Sequence, residues 1–146
     1  MISTTSKVAI STLEFSSSAP FYVIMEVYFF RGMNMKETVY FGTYTRRISQ
    51  GIYKADFDTE TGKLANLKLF AAEPSPTYLA FDQDQHLYTV GSHDGKGGIA
   101  AYKTDGSLLN HVVEEGAPHC YVAVDEKRSL VYGANYHKGQ VLVYKR

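Results

Sequence analysis

Five histidines, two adjacent arginines and a few amide and phenol groups are the residues of this chain that could do chemistry. His119 follows Pro118 at the start of a β-patterned run. An imidazole there could take a proton from a positioned water or hold a ligand; the bland alternative is a polar residue that caps a strand or lines a channel. His137 follows Asn135 and Tyr136 at a turn and is otherwise solvated. His93 and Asp94 are neighbours, as an acid–base pair would be, but the surrounding Ser92-His93-Asp94-Gly95-Lys96-Gly97-Gly98 reads as a flexible hairpin. His86 and His111 flank strands and carry no signal. Arg46 and Arg47 could grip a phosphate. Successive residues on a strand point to opposite faces, so at most one of the two would face a given site. Asn135 and Tyr136 could donate hydrogen bonds from an inner strand. Tyr44 occupies the place that matches Tyr136 in the repeat described below, which favours a structural role for both tyrosines.

Other patterns fail on inspection. Thr61-Gly62-Lys63-Leu64 lacks the upstream glycine and the following Ser or Thr of a phosphate loop. Asp56, Asp58 and Glu60 resemble a calcium loop, but Thr61 stands at the obligatory glycine, so they read as a charged hairpin. Cys120 is the single cysteine and has no CxxC partner, so neither zinc nor redox chemistry is supported and no metal is expected. Glu114-Glu115 reads as a solvated acidic pair in a turn.

Composition narrows the class. The chain has 146 residues, enough for one domain with a fair core. Fifteen basic residues balance fifteen acidic ones. That argues against nucleic acid or an acidic membrane as partner, both of which want a basic excess, and it removes colloidal repulsion. Twelve Tyr and eight Phe with no Trp fit a β-rich protein. A lone cysteine and no N-x-S/T site suit a reducing, cytoplasmic setting.

Residues 1–34 do not match the rest. A Ser/Thr-rich stretch precedes the apolar run Phe21–Phe30, which Arg31 and Gly32 end. A membrane helix needs about 20 apolar residues, and this run is shorter and holds Glu26. Lys7 is a thin basic start for a signal peptide, and no small-residue cleavage site follows Phe30. The expectation is a leader foreign to the fold, with Met33 or Met35 as the natural start; the rival is an added edge strand.

From Met35 the chain repeats. Val39-Tyr40-Phe41-Gly42-Thr43-Tyr44, Leu87-Tyr88-Thr89-Val90-Gly91-Ser92 and Val131-Tyr132-Gly133-Ala134-Asn135-Tyr136 start 48 and 44 residues apart (87 − 39 and 131 − 87). Gly51-Ile52-Tyr53, Gly98-Ile99-Ala100 and Gln140-Val141-Leu142 align next. Pro76-Thr77-Tyr78-Leu79-Ala80-Phe81-Asp82 matches Pro118 to Asp125, and Thr61-Gly62 and Asp105-Gly106 mark hairpins. About four short strands in a little over forty residues is a propeller blade. The expected fold is therefore all-β: a partial β-propeller over residues 35–146, with about two to two and a half four-stranded blades of an expected seven. Seven would need on the order of 300 residues. An open arc leaves blade faces and strand edges bare, which invites self-association.

At this point the residues resemble a family, the seven-bladed propeller lactonases. The resemblance is carried in order by Val39 to Thr45, Gly51-Ile52-Tyr53, Asp58 to Leu64, Pro76 to Ala80, Leu87-Tyr88, Ala117 to Cys120 and Ala134 to Gly139. It implies hydrolysis of 6-phosphoglucono-lactone to 6-phosphogluconate in the pentose phosphate pathway, a small sugar lactone as substrate, and no metal or other cofactor. It also implies that the groups proposed to do the chemistry lie in later blades, so that the chain is an N-terminal, inactive piece. One local departure is that His119 precedes Cys120, where the family commonly has Cys before His. The alternative reading is a non-catalytic propeller segment that binds a partner or small molecule across its channel.

Overall fold

The computed structural model describes residues 36–146, so the leader, Met33 and Met35 lie outside the described residues. The described chain forms ten strands: β1 (Lys36–Phe41), β2 (Gly51–Asp58), β3 (Leu64–Ala72), β4 (Leu79–Phe81), β5 (Leu87–His93), β6 (Lys96–Tyr102), β7 (Leu108–Glu114), β8 (Tyr121–Asp125), β9 (Leu130–Asn135) and β10 (Gln140–Lys145). They make three antiparallel sheets in chain order, β1-β2-β3, then β4-β5-β6-β7, then β8-β9-β10. The repeat and the sheets are out of phase. The repeating motif opens on β1, β5 and β9, which are the second strands of a four-stranded plan. Only the middle sheet has all four strands among the described residues.

Alternation along the strands assigns the faces. On β5, Leu87 faces the first sheet, while Tyr88 and Val90 face the third. Ile52, Phe70 and Ala71 of the first sheet pack on Leu79, Leu87, Ala100 and Tyr102 of the second, with Tyr40 and Phe81 beside them. Ala80, Tyr88, Val90 and Ile99 of the second pack on Val122 and Val131 of the third. Each such aliphatic or aromatic side chain contributes about 1.5–3 kcal/mol when fully buried. The outward face of the third sheet is open: Val141 is 70% and Val143 56% exposed.

Turn chemistry explains the strand limits. Asp58 accepts from the backbone N–H groups of Glu60 and Thr61, and Gly62 closes that turn at φ +68°. Asp105 and Gly106 repeat the device between β6 and β7. The stretch Ser92–Gly98, read from sequence as a flexible hairpin loop, is mostly strand. β5 and β6 run into it and leave only Asp94 and Gly95, at φ +50° and +76°, as a two-residue turn whose twist matches the strands. Arg46 and Arg47 correct another expectation. β1 ends at Phe41, so both lie in the irregular connection 42–50, where strand alternation does not apply, and both are exposed.

The crossovers β3–β4 and β7–β8 come to the same end of the sheets as the β1–β2, β5–β6 and β9–β10 turns. Glu73 N–H donates to Gln50 O, and Gly97 N–H to Gly116 O. The second crossover passes so close that a Cβ on Gly97 would lie 2.2 Å from Pro118 N. Gly97→Ala therefore forces the backbone apart and should cost about 2 kcal/mol, measured as a lower urea midpoint with an unchanged slope.

Candidate functional site

The end of the arc that carries the crossovers also carries the candidate residues. Arg46 and Arg47 stand on the β1–β2 connection, His93 and Asp94 at the β5–β6 turn, Tyr136 and His137 at the β9–β10 turn, and His119 on the β7–β8 crossover. The topology thus gathers at one end what the sequence scatters over nearly a hundred residues. The side chains differ sharply in environment. Arg46 lies 5.5 Å over the ring of the exposed Tyr44. Tyr136 is exposed and its ring lies 3.9 Å from that of His137. Asn135 is fully buried: its amide donates to Ala117 O at 2.8 Å and its Oδ1 accepts from Lys138 N–H, so it ties the crossover to the turn.

His119 is buried between the second and third sheets at 2% exposure. Its ring lies against Gly133, where a Cβ would come within 2.2 Å of Cδ2. Nε2 shares a hydrogen bond of 2.9 Å with the Tyr144 hydroxyl, and Nδ1 has no partner among the described residues. Burial pushes the imidazole pKa down, because protonation would create a second, unanswered N–H in a dry place; Glu114 opposes this and Lys138 adds to it. Burial likewise pushes the Tyr144 phenol up.

The groups that sequence reasoning missed are buried polar residues between the sheets. Glu73, 1% exposed, sits at the start of the β3–β4 crossover. Its carboxylate accepts from Ser92 N–H at 3.1 Å, from the Tyr102 hydroxyl, and is 2.9 Å from His111 Nε2. The His111 ring stacks on that of His93 at 4.6 Å, and His93 Nε2 is 3.5 Å from Asp94. A chain of titratable groups therefore runs from the buried Glu73 to the exposed His93. Burial and the neighbouring Glu73 both push the Tyr102 phenol up. Tyr102 and Tyr144 are equivalent in the repeat, since they pair with Leu87 and Val131 respectively. Each interface is thus closed by a tyrosine that meets a polar group of the preceding crossover, Glu73 in one case and His119 in the other. Nothing local marked Glu73; only the tyrosine's periodic place could have pointed to a buried acceptor. His111, at the middle of β7 rather than at a strand flank, was missed for the same reason. Glu114 and Glu115 are paired with Lys138 and Lys96 rather than simply solvated.

At the opposite end, Asp82, Asp84 and His86 bring donor atoms within 4.8 Å of one another. Asp82 already accepts from His86 N–H and the Tyr88 hydroxyl, and His86 Nδ1 lies 2.9 Å away. Burial would raise its carboxyl, but these contacts outweigh burial and hold it below the usual carboxylate value. The geometry is that of a braced turn.

The family model for the seven-bladed β-propeller lactonases matches residues 38–146. The chain belongs to that family. It is 43% identical over 111 residues to the 6-phosphogluconolactonase of Bacillus subtilis, which covers 72% of this chain and 32% of that protein. An uncharacterized protein of Lactococcus lactis is 50% identical over 114 residues, 76% of this chain and 33% of its own length. A crystal structure of a Lactobacillus plantarum protein superposes with a TM-score of 0.73 at 52% identity, over 76% of this chain and 33% of that one. The chain spans about a third of the length of the relatives it matches. Within this family the two inter-sheet latches are testable. Glu73→Ala strips the acceptor from Ser92 N–H, Tyr102 and His111 and should lower stability by about 3 kcal/mol; Glu73→Gln should cost less, and equal urea midpoints for all three proteins would contradict the assignment. For His119, the unfolded chain takes up a proton as the pH falls through about 6.5, while the native ring resists until lower pH. The unfolded state then binds more protons, so stability falls as pH drops below that value. His119→Gln should make the decline between about pH 6.5 and 5 shallower, read from urea midpoints across that range.

Proposed function

We propose that the whole protein to which these blades belong hydrolyses 6-phosphoglucono-lactone to 6-phosphogluconate, the lactone-opening step of the pentose phosphate pathway. The observation that carries this reading is the 43% identity to a protein named 6-phosphogluconolactonase. A solved relative named a periplasmic gluconolactonase, 25% identical with a TM-score of 0.60, supports the broader lactonase chemistry.

Opening a lactone needs a positioned water, a group to take its proton and donors for the developing oxyanion. The crossover end offers part of this set. Arg46 and Arg47 are free to meet a phosphate, and Tyr136 and His137 are exposed to donate a hydrogen bond or accept a proton. His119 and Asn135 would act from behind, by holding the β7–β8 crossover and the β9–β10 turn in place. In this reading the set is completed by further blades, and the 146-residue chain alone is inactive. The single cysteine agrees with a cytoplasmic site of action; among the described residues no helix is long and apolar enough to cross a membrane.

The test is a paired assay of this chain and of a version extended to seven blades, with fresh 6-phosphoglucono-δ-lactone followed against its spontaneous hydrolysis. Acceleration by the extended protein alone is expected. A folded extended protein without activity would remove the named substrate, and activity in the short chain would return the chemistry to its own residues.

A further inference from the structure

The inner strands carry two tyrosines at equivalent places. Tyr78 stands just before β4 and Tyr121 opens β8, ahead of the matched runs Leu79-Ala80-Phe81-Asp82 and Val122-Ala123-Val124-Asp125. Their ring centres lie 4.5 Å apart. Val122 packs on the second sheet, so alternation turns Tyr121 away from that sheet. The contact with Tyr78 therefore carries its ring round the inner edge of β8, the edge that a propeller turns toward its central channel. The backbone is pinned at both places. Tyr78 O accepts from Val90 N–H and from the Thr89 hydroxyl at 2.9 Å, and Cys120 N–H donates to Ala134 O at 2.7 Å.

The pair meets solvent. Tyr121 is 44% exposed. Tyr78 has the next sheet in place beside it and is still only half-buried, so the position reaches the channel even where a following blade is packed on it. The ring planes are inclined by 55°, which leaves ring faces uncovered where a parallel stack would close them. The tyrosines also share an end with Arg46 and Arg47. Thr45 N–H donates to Ser75 Oγ and Ser75 N–H donates to Thr45 Oγ1. This reciprocal clasp holds the β1–β2 connection, and the arginines with it, on the crossover that leads into Tyr78.

We propose that Tyr78 and Tyr121 form a shelf for the ring of a phosphorylated sugar lactone, with the C–H face of the ring on the phenols and the phosphate toward Arg46 and Arg47. The class of ligand rests on the lactone reading given above. A six-membered sugar ring with equatorial hydroxyls is apolar on both faces and polar at its rim. A phenol answers with a flat apolar face and a polar tip. Ligand sites commonly join aromatic walls to a few charged or polar groups in this way, and a guanidinium suits a phosphate. An opened sugar acid has no ring face, so the shelf holds the cyclic substrate better than its linear product.

The 146-residue chain holds both tyrosines and both arginines and is the protein to test. The probe is 1,5-anhydroglucitol 6-phosphate, which keeps the ring and phosphate and has no carbonyl to hydrolyse. Saturation-transfer NMR should show the ring C–H protons in contact with the chain, and open-chain 6-phosphogluconate should bind more weakly. Tyr121→Leu keeps apolar bulk against Tyr78 but removes the flat face; it should weaken the probe about tenfold. Tyr121→Phe should bind it like the unmutated chain, and inorganic phosphate should bind all three proteins alike. No transfer to the ring protons, equal binding by Tyr121→Leu, or equal losses in the Leu and Phe variants would overturn the shelf. The seven-blade version separates this inference from the proposed activity. Ring binding that Tyr121→Leu weakens, without lactone hydrolysis, would keep the shelf and remove the reaction. Hydrolysis with an unchanged KM in Tyr121→Leu would keep the reaction and overturn the shelf.

Discussion

The face of each sheet can leave water only against the face of the next, and everything else in this structure follows from that dependence. A three- or four-stranded sheet with alternating side chains has two apolar faces and cannot bury either by itself. The middle sheet buries both, through Leu87 on one side and Tyr88 and Val90 on the other. The third buries one and leaves Val141 and Val143 in water on the other. Stability in such an array is close to a sum of unit and nearest-neighbour contributions, so the interfaces are where substitutions should be felt most.

Polar groups trapped between the sheets are the second consequence. A crossover must pass from the outer strand of one sheet to the inner strand of the next, and it carries backbone and side-chain polar atoms into the seam. Each needs a partner there, because an unanswered buried group costs about 1–3 kcal/mol. Tyr102 and Tyr144 supply partners at the two seams, to Glu73 and His119. Residues whose types invite a catalytic reading, a carboxylate beside a histidine and an imidazole of depressed pKa, thus have structural work in this chain. The exposed Arg46, Arg47, Tyr136 and His137 are differently placed: they meet solvent at the shared end.

Much of the fold was legible because strands and turns are local. The valine and tyrosine runs, the Asp-Gly turns and the 44- to 48-residue spacing mark strands in blade-length units, and the resemblance carried by the ordered motifs agrees with the family that the comparisons show. The boundaries were less legible where two local signals competed. Glycines in Ser92–Gly98 read as looseness, yet Gly97 and Gly98 are strand residues whose missing side chains make room for the backbone of Pro118 and Val112. The strand read over Gly42–Thr45, ahead of Arg46 and Arg47, stops instead at Phe41: Gly42 lies under Pro76 O, and the chain leaves the sheet there.

The sequence by itself determined the class of fold, the unit length, the absence of an internal disulfide and the membership in a lactonase family, because composition, periodicity and motif order are properties of the chain. Only the tertiary structure decided which polar residues are partners. Glu73 and His111 are 38 positions apart, His119 and Tyr144 are 25 apart, and no local pattern relates them. Their pairing arises from the stacking of one sheet on the next. That stacking also decided that Tyr88 and Tyr132, on the second strands of successive units, each donate to an aspartate at the end of the neighbouring inner strand, Asp82 and Asp125.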